Sequence, residues 1–357
     1  MAPHTPPAET RLRTLVAKCV STPSRVTRMN ILITGGTGFI GSQLALRCLD
    51  LSYSVTVFGQ ENTPAEAINA GLLRERGARV VLGSVTDISL VREVLKGIDL
   101  VVHLAAVQHE MNVPDGVFRS VNVEGTRNLL EASISNGVKR FVHGSTIGVY
   151  GSTAENVDES TPCRPDNIYG ITKLEGERVA LSYNRGLPVV AIRIPEVYGP
   201  GDRRLLKLFS GIQRGMFVVI GSGKNLHHPI FVGDLVQGLL IAFCQPEAAG
   251  EVFLLAGKQV VSTETMVRTI AQELQAKTLP FRIPLLPMTL IATLMEKGLR
   301  PLGVQPPLHR RRIDFFRKSF QLSGKKAADV LGFAPETDFR TGVHLTAKWY
   351  RENGYLK

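Results

Sequence analysis

The sequence is poor in cysteine and contains no long apolar run. Its four cysteines lie far apart among 357 residues and form no Cys-x-x-Cys pair, which argues against a disulfide framework or a cysteine-based metal site. The chain has no run of about 18 apolar residues, so no membrane-spanning helix is predicted. Residues 1–28 also lack the apolar core of a secretory signal. We therefore expect a cytoplasmic protein with free thiols and no bound metal.

Acidic and aromatic residues are both scarce. The formal net charge is +11, and aromatic residues make up 6% of the chain. Residues 1–28 contain five Lys or Arg against one Glu, and residues 297–326 contain nine against one Asp. Two local patches without a nucleic-acid-binding motif do not form a continuous basic surface, so we expect no nucleic-acid partner. Residues 1–28, rich in Pro, Thr and Arg, are predicted to be a disordered basic extension.

Short apolar runs rich in β-branched residues alternate with helix-length segments from Met29 onward. These runs lack the polar alternation of a half-exposed strand, which favours a parallel sheet covered on both faces. The pattern predicts an α/β fold with a Rossmann-type, doubly wound parallel sheet over residues 29–194. Residues 195–357 are predicted to form mainly a smaller substrate-binding region, with residues 229–258 returning to the Rossmann domain.

A glycine-rich loop follows the first predicted strand. Gly36, Gly38 and Gly41 satisfy G-x-G-x-x-G directly before a helix. Glycine allows the backbone to approach a pyrophosphate, and the helix N-terminus favours the negative charge of phosphate. The second strand then ends in Gly59-Gln60 without a carboxylate or an arginine, so NAD and NADP both stay open as cofactors. The cofactor contacts predicted here are Gly35, Gly36, Thr37, Gly38, Phe39, Ile40, Gly41 and Gln60.

Tyr169 and Lys173 are four residues apart, which places them on one face of a helix. A free tyrosine titrates near ~10, and a neighbouring ammonium group favours its phenolate. The pair is therefore predicted to act as a general acid or base on a secondary alcohol or its ketone. Ser145 and Thr146, at the end of a predicted strand, are candidates for a hydroxyl that polarises the same substrate oxygen.

These motifs, in this order, resemble the extended short-chain dehydrogenase/reductase superfamily over about residues 29–355, in its NAD-dependent epimerase/dehydratase branch. The motifs that carry the resemblance are Thr34-Gly35-Gly36-Thr37-Gly38-Phe39-Ile40-Gly41, Val102-His103-Leu104-Ala105-Ala106, Asn122-Val123-Glu124-Gly125-Thr126, Ser145-Thr146, Tyr169 with Lys173, and Arg193-Ile194-Pro195-Glu196-Val197-Tyr198-Gly199-Pro200.

The resemblance implies a role for individual residues. It makes Thr146 the catalytic hydroxyl, Tyr169 the acid/base, and Lys173 a residue that binds the nicotinamide ribose. It places Ser84 and Val85 near the adenine, although the superfamily usually has Gly-Asp at the position of Gly83-Ser84. It implies that the cofactor is also lined by Leu104, Ala105, Ala106, Pro195 and Val197. We further expect a small-molecule substrate and a homodimer.

Two substrate classes compete. The related sugar enzymes often have Asn where this chain has Glu196, and a carboxylate there would repel a second pyrophosphate, whereas Lys224 or a protonated histidine would attract it. The Gly-x-Gly-x-Asn loop at residues 221–225 and residues 319–335 look more like the 3β-hydroxysteroid dehydrogenase-like group. Apolar residues 285–295, followed by basic residues 310–312, suit a lipid-like substrate and peripheral membrane contact.

We therefore expect an NAD(P)-dependent oxidoreductase that transfers hydride at a secondary alcohol or ketone of an uncharged, steroid- or lipid-like substrate. One alternative is a nucleotide-sugar 4-epimerase or dehydratase. The alternative from another class is a non-catalytic NAD(P)-sensing protein. The residues assigned to the substrate are Gln108, Ile147, Glu196, Lys224 and His228.

Overall fold

A computed structural model describes residues 29–108, 113–152, 156–279, 281–299 and 310–357. The basic extension predicted over residues 1–28 lies outside the described residues. The strands are β1 (Asn30–Thr34), β2 (Ser54–Gly59), β3 (Arg79–Leu82), β4 (Leu100–His103), β5 (Arg140–Thr146), β6 (Val189–Ile194), β7 (Val197–Tyr198), β8 (Val219–Ile220), β9 (Leu226–His227), β10 (Ile230–Phe231), β11 (Val252–Leu254), β12 (Val261–Ser262) and β13 (Arg282–Ile283).

The helices of the described residues alternate with the strands as far as β6, and the order is less regular after it. They are α1 (Phe39–Asp50), α2 (Pro64–Glu75), α3 (Ile88–Val94), α4 (Asp115–Arg119), α5 (Gly125–Ser135), α6 (Ile168–Ser182), α7 (Leu206–Gln213), α8 (Val232–Cys244), α9 (Thr263–Glu273), α10 (Leu285–Leu299), α11 (Arg310–Arg317), α12 (Lys325–Leu331) and α13 (Phe339–Glu352). A π-helical turn, Ser120–Glu124, precedes α5, and a 3₁₀ turn, Ile147–Tyr150, follows β5.

A seven-stranded parallel sheet forms the centre, in the order β11-β6-β5-β4-β1-β2-β3. The chain runs outward from β1 in one direction through β2 and β3, and in the other through β4, β5, β6 and β11. The order therefore reverses between β1 and β4, and such a switch point leaves a crevice beyond the carboxyl ends of the strands. The predicted doubly wound fold is confirmed.

Both faces of the sheet are covered. In β1, Ile31 and Ile33 point into a core shared with α1 and α8, whereas Leu32 points into a second core shared with α3, α5 and α6. All three side chains are fully buried. This explains the unbroken apolar runs of the sequence, because successive strand residues alternate between two buried faces.

Two smaller clusters lie in the part of the chain after β6. Helices α7, α9 and α13 pack around Phe209, Ile270 and Tyr350, while α10 and α11 pack together beside the short pair β8–β13. Residues 229–258, predicted to return to the sheet, contain α8 and the edge strand β11, which pairs with β6. This arrangement leaves the crevice bordered by the sheet on one side and by later segments on the other.

Candidate functional site

A cavity of about 650 Å³ lies at the carboxyl ends of the strands around the switch point. It is lined by loop residues that follow β1, β2, β3, β4, β5 and β6, and by the first turns of α6. The predicted site residues that line it are Gly35, Thr37, Gly38, Phe39, Ile40, Gly41, Gln60, Ser84, Val85, Leu104, Ala105, Ala106, Gln108, Thr146, Tyr169, Lys173, Pro195 and Val197.

The glycine loop is shaped by close backbone contacts. Gly35 has a φ of +66°, and a Cβ there would lie 2.7 Å from the amide nitrogen of Ala105. A Cβ on Gly41 would lie 2.3 Å from the carbonyl oxygen of Gly35. Gly36 is placed behind the loop against Val57 and does not line the cavity, so its glycine serves packing rather than direct contact. The loop thus presents backbone to the cavity, the shape that a pyrophosphate requires.

The end of the cavity beyond β2 is polar and carries an acidic residue. Thr37 donates its hydroxyl hydrogen to the carbonyl oxygen of Gln60 at 2.8 Å, which fixes the turn after β2. Gln60, Asn62 and Glu66 line this end of the cavity. Glu61, by contrast, pairs with Arg74 at 3.1 Å and is not part of the lining. Sequence reasoning missed Asn62 and Glu66 because they follow the strand at no fixed spacing.

A buried hydrogen-bond chain positions the segment after β4. Thr126 donates its hydroxyl hydrogen to the carbonyl of Asn122 (2.8 Å), so the Nε2–H of His103 donates to Thr126 (2.9 Å). The Nδ1 atom of His103 then accepts from Thr34 (2.7 Å), whose oxygen accepts in turn from the amide of Ala105 (3.3 Å). Burial, reinforced by the charge of Lys173, lowers the pKa of His103 to about 3. His103 is therefore neutral, and it anchors the backbone that lines the cavity.

Asn122 connects the same segment to helix α6. Its side-chain oxygen accepts from the amide of Val107 at 2.9 Å, and its amide nitrogen donates to the Thr172 hydroxyl at 3.0 Å. Asn122 is fully buried. The asparagine of the motif quoted above thus holds two walls of the cavity at a set distance from each other.

Thr146, Tyr169 and Lys173 converge on one part of the cavity. Thr146 ends β5, and its hydroxyl oxygen accepts from the amide of Gly148 at 3.1 Å. The hydroxyl hydrogen remains to be donated to a substrate oxygen. Tyr169 and Lys173 lie one turn apart on α6, whose N-cap Asn167 accepts from the amide of Gly170. The three residues predicted to be catalytic are therefore brought together.

Lys173 is 2% exposed. Burial lowers the pKa of Lys173 to about 8, against the opposing attraction of the Glu177 carboxylate. Glu177 itself is bound by Arg193, with distances of 2.7 and 3.1 Å between carboxylate oxygens and guanidinium nitrogens. Arg193 also donates to the Tyr150 hydroxyl at 2.8 Å. A buried charged network therefore lies directly behind the lysine.

His143 faces the same network from β5. Its ring is fully buried and, within the described residues, neither ring nitrogen has a hydrogen-bond partner. Burial, followed by the charge of Lys173, holds the pKa of His143 well below its usual value. It adds no charge beside Lys173.

The residues assigned to the substrate separate in space, and Gln108 is the one that lines the cavity. Ile147 is 8% exposed and packs in a cluster with Val149 and Leu174. Lys224 is exposed on a loop outside the lining. In His228 both ring nitrogens are used by backbone groups, since Nε2 donates to the Gly257 carbonyl and Nδ1 accepts from an amide. His228 therefore has no free ring nitrogen to offer to a substrate.

Glu196 is paired rather than aimed into the cavity. Its carboxylate lies 2.9 Å from Nδ1 of His227, and its side chain is 44% exposed. Partial burial alone would raise the pKa of the Glu196 carboxyl, but the attraction of His227 brings it below its usual value. The expectation of an uncharged substrate required this carboxylate in the cavity, and the described lining does not include it. Glu196 therefore gives no reason to exclude a phosphate group from the substrate.

Arg204 is a lining residue that sequence reasoning did not single out. Its guanidinium donates to the carbonyl of Val197 and to Asp202 and lies 5.6 Å from the centre of the Phe39 ring.

Within the described residues, no group of three or more potential metal ligands occurs. The same part of the chain contains no helix that is both long and apolar enough to cross a bilayer.

Comparisons with known proteins agree with this geometry. Residues 31–256 match the family model described as the NAD dependent epimerase/dehydratase family. A UDP-glucose 4-epimerase of Vibrio cholerae is 31% identical over 335 residues, which cover 89% of this chain and 94% of that protein. The crystal structure of DesIV, a dTDP-glucose 4,6-dehydratase from Streptomyces venezuelae solved with NAD bound, superposes with a TM-score of 0.74 and 27% identity, covering 92% of this chain and 99% of that one.

A steroid enzyme is also similar. The 3beta-hydroxysteroid-dehydrogenase/decarboxylase isoform 2 of Arabidopsis thaliana is 27% identical over 346 residues, which cover 88% of this chain but 61% of that protein. The resemblance noted from the motifs is thus confirmed.

Proposed function

Since this chain belongs to the NAD-dependent epimerase/dehydratase family, we propose that it binds NAD and inverts a secondary alcohol carbon of a nucleotide-linked sugar. The expectation of an NAD(P)-dependent enzyme is confirmed. The steroid- or lipid-like substrate that the sequence favoured is less well supported than its alternative, a nucleotide-sugar 4-epimerase or dehydratase.

One observation carries the proposal: Thr146, Tyr169 and Lys173 line the same cavity as the glycine loop. A protein that only senses NAD(P) has no need of an acid/base group, a hydroxyl donor and a buried ammonium at one end of its nucleotide site. Their convergence favours a site that reacts with an alcohol.

The cavity fits a dinucleotide. A Cβ on Gly35 or Gly41 would collide with backbone atoms of the loop, so the loop geometry depends on glycine and presents backbone to the phosphates. The adenosine end is lined by Gln60, Asn62 and Glu66, while the lysine and arginine of the described lining, Lys173 and Arg204, come from other segments. A carboxylate without a neighbouring cation disfavours a 2′-phosphate, so we propose NAD rather than NADP.

The side chains divide the work on the alcohol. Tyr169 takes the proton of the substrate hydroxyl, and the ammonium of Lys173 stabilises the phenolate before this transfer. The Thr146 hydroxyl donates to the same substrate oxygen and holds it near Tyr169. When bound, NAD would accept the hydride of the carbinol carbon, and the resulting NADH would return it to the opposite face of the ketone. Tyr169 returns the proton when the ketone is reduced from its other face.

Within the cavity, epimerisation is better supported than dehydration. Loss of water from a sugar requires a further acid and base beside the carbon chain. Ile147 and Gly148, which follow Thr146, have no side chain that could act as an acid or a base. The carboxylate of the described lining, Glu66, lies at the adenosine end of the cavity. Tyr169 is therefore the acid/base that the described lining places at the reacting end, which suffices for a reversible oxidation.

The test is an incubation of the purified chain with NAD and UDP-glucose or dTDP-glucose, followed by separation and mass measurement of the sugar nucleotides. We expect a 4-epimer of unchanged mass, no net NADH, and no product from Tyr169→Phe. A product that has lost water would replace the epimerase by a dehydratase. Accumulation of NADH with a steroid alcohol, and no reaction with either sugar nucleotide, would restore the substrate class favoured by the Arabidopsis relative.

A further inference from the structure

Helix α10 has two apolar faces, and the structure covers one of them. Leu285, Met288 and Ala292 face inward, where they pack with Ile220 and Ile313. Ala292 is fully buried. This inner face is enough to attach the helix to the rest of the protein.

The outer face carries large apolar side chains exposed to solvent. Leu286 is 74% exposed, Leu290 58% and Leu294 70%, and Ile291 beside them is 46% exposed. Residues four apart on a helix form one stripe, so the three leucines make a continuous apolar edge. A contiguous exposed patch of this kind marks a surface that is covered in the working protein.

Basic residues are frequent in the segment that follows this face in the sequence. Lys297 is exposed in the last turn of α10. Helix α11 packs on α10 and begins with Arg310, Arg311 and Arg312. Residues 296–318 contain seven Lys or Arg and two acidic residues, Glu296 and Asp314. An apolar helix face accompanied by basic residues is the combination that binds an anionic lipid surface, through burial of the leucines and attraction to the headgroups.

We propose that α10 docks on an anionic membrane surface and buries Leu286, Leu290 and Leu294 among the lipids. The helix has 15 residues, fewer than the ~20 needed to span a bilayer, so it lies along the surface. A second copy of the chain would also cover the leucines, but each copy carries a formal net charge of +11, and like charges repel. The charge therefore favours lipid over a symmetric dimer.

The docking helix is connected to the candidate site by contacts. The ring of Phe315 in α11 lies 4.6 Å from the ring of His227. His227 pairs with Glu196, which follows the cavity residue Pro195. Docking would therefore fix the segment that borders the cavity beyond β6. The inference itself stands on the exposed leucines of α10 and on the basic residues that follow them in the sequence, independently of the reaction proposed above.

The experiment is vesicle flotation of the full-length chain, with phosphatidylcholine vesicles that either contain or lack phosphatidylglycerol. The test variant is Leu290→Glu/Leu294→Glu. The matched control is Ile68→Glu/Leu72→Glu, which changes two residues, 56% and 41% exposed, with the same spacing on α2. Thermal unfolding and NADH binding are measured for all three proteins to confirm folding.

We expect the chain to float with anionic vesicles and not with neutral ones, and to be released as salt is raised. The α10 variant should bind the vesicles at least roughly tenfold more weakly, because two carboxylates replace leucines that the lipids would bury. The α2 variant should bind like the unaltered chain. Equal binding by both variants, or no binding to anionic vesicles, would overturn the proposal. A dimer that the α10 variant dissociates, without any vesicle binding, would assign the face to a second copy instead. Neither result depends on whether sugar nucleotides react.

Discussion

The Glu177 carboxylate accepts two hydrogen bonds from the guanidinium of Arg193 on strand β6, at 2.7 and 3.1 Å. Lys173, one turn earlier on the same helix, feels the charge of Glu177, while burial lowers its pKa to about 8. The arginine thus holds the carboxylate behind the lysine, and the lysine itself lines the cavity. The Glu177 carboxylate therefore favours the charged form of Lys173 and opposes the effect of burial.

Arg193→Met should reduce the free energy of unfolding by about 3–5 kcal/mol, because it leaves the Glu177 charge buried without its partner. Urea unfolding followed by circular dichroism measures the change. The control is Arg351→Met, which removes an exposed arginine from a pair with Glu273 and should cost about 0–1 kcal/mol. Equal losses of unfolding free energy in the two variants would show that the buried pair stabilises the protein no more than the exposed pair does.

Tyr169→Phe should lower kcat by roughly 10²–10⁴-fold, the usual contribution of a general acid/base. Its affinity for NADH should change little, because Phe keeps the ring that lines the cavity. Stopped-time product analysis gives the rate, and calorimetric titration gives the affinity. A variant with full turnover would exclude the tyrosine mechanism.

Turnover should decline as the pH rises through about 8, where Lys173 loses the proton that its burial makes easy to remove. The charged form exists below this pKa, so the decline lies on the alkaline side. Lys173→Met should be slow at every pH. Lys173→Arg, whose guanidinium stays protonated, should retain part of the rate without the alkaline decline. The kcat–pH profiles of the three proteins decide this, and an unchanged decline in the arginine variant would assign it to another group.

NADH should bind at least about fivefold more tightly than NADPH, because a 2′-phosphate near Glu66 adds like-charge repulsion of ~1 kcal/mol or more. The Glu66 carboxylate accepts from the amide of Thr63 at 2.9 Å, as part of the cap of α2. Glu66→Gln removes the charge but keeps an oxygen that can accept this bond, so it should narrow the difference between the two affinities. Fluorescence titration of both cofactors measures the ratio. Tighter binding of NADPH by the unaltered chain would contradict the assignment of this end of the cavity.

The local features of the fold could be predicted from the sequence. The apolar strand runs, the glycine loop and the Tyr169–Lys173 spacing depend on neighbours a few residues apart, and β1 and α6 form where these patterns placed them. Two-sided burial explains the runs, and helical periodicity explains the pair. The residues that follow each strand then meet at one edge because the strands are parallel.

Contacts between distant segments could not be predicted in this way. Glu196 was expected beside the substrate, but His227, 31 residues later, takes its carboxylate. His228 was a candidate contact until the backbone at Gly257 and Leu322 occupied both of its nitrogens. Glu66 lines the cavity, although no sequence motif predicted it there.

The sequence by itself determined the parallel sheet, the glycine loop and the placement of Thr146, Tyr169 and Lys173 near the ends of the strands, since each follows from local conformation and from the topology of the strands. Only the tertiary structure decided which charges face the cavity and which are paired behind it, as with Lys173, Glu177 and Arg193. The reason is physical: a charged side chain takes the partner that lies nearest after packing, and packing joins segments that the order of residues does not relate.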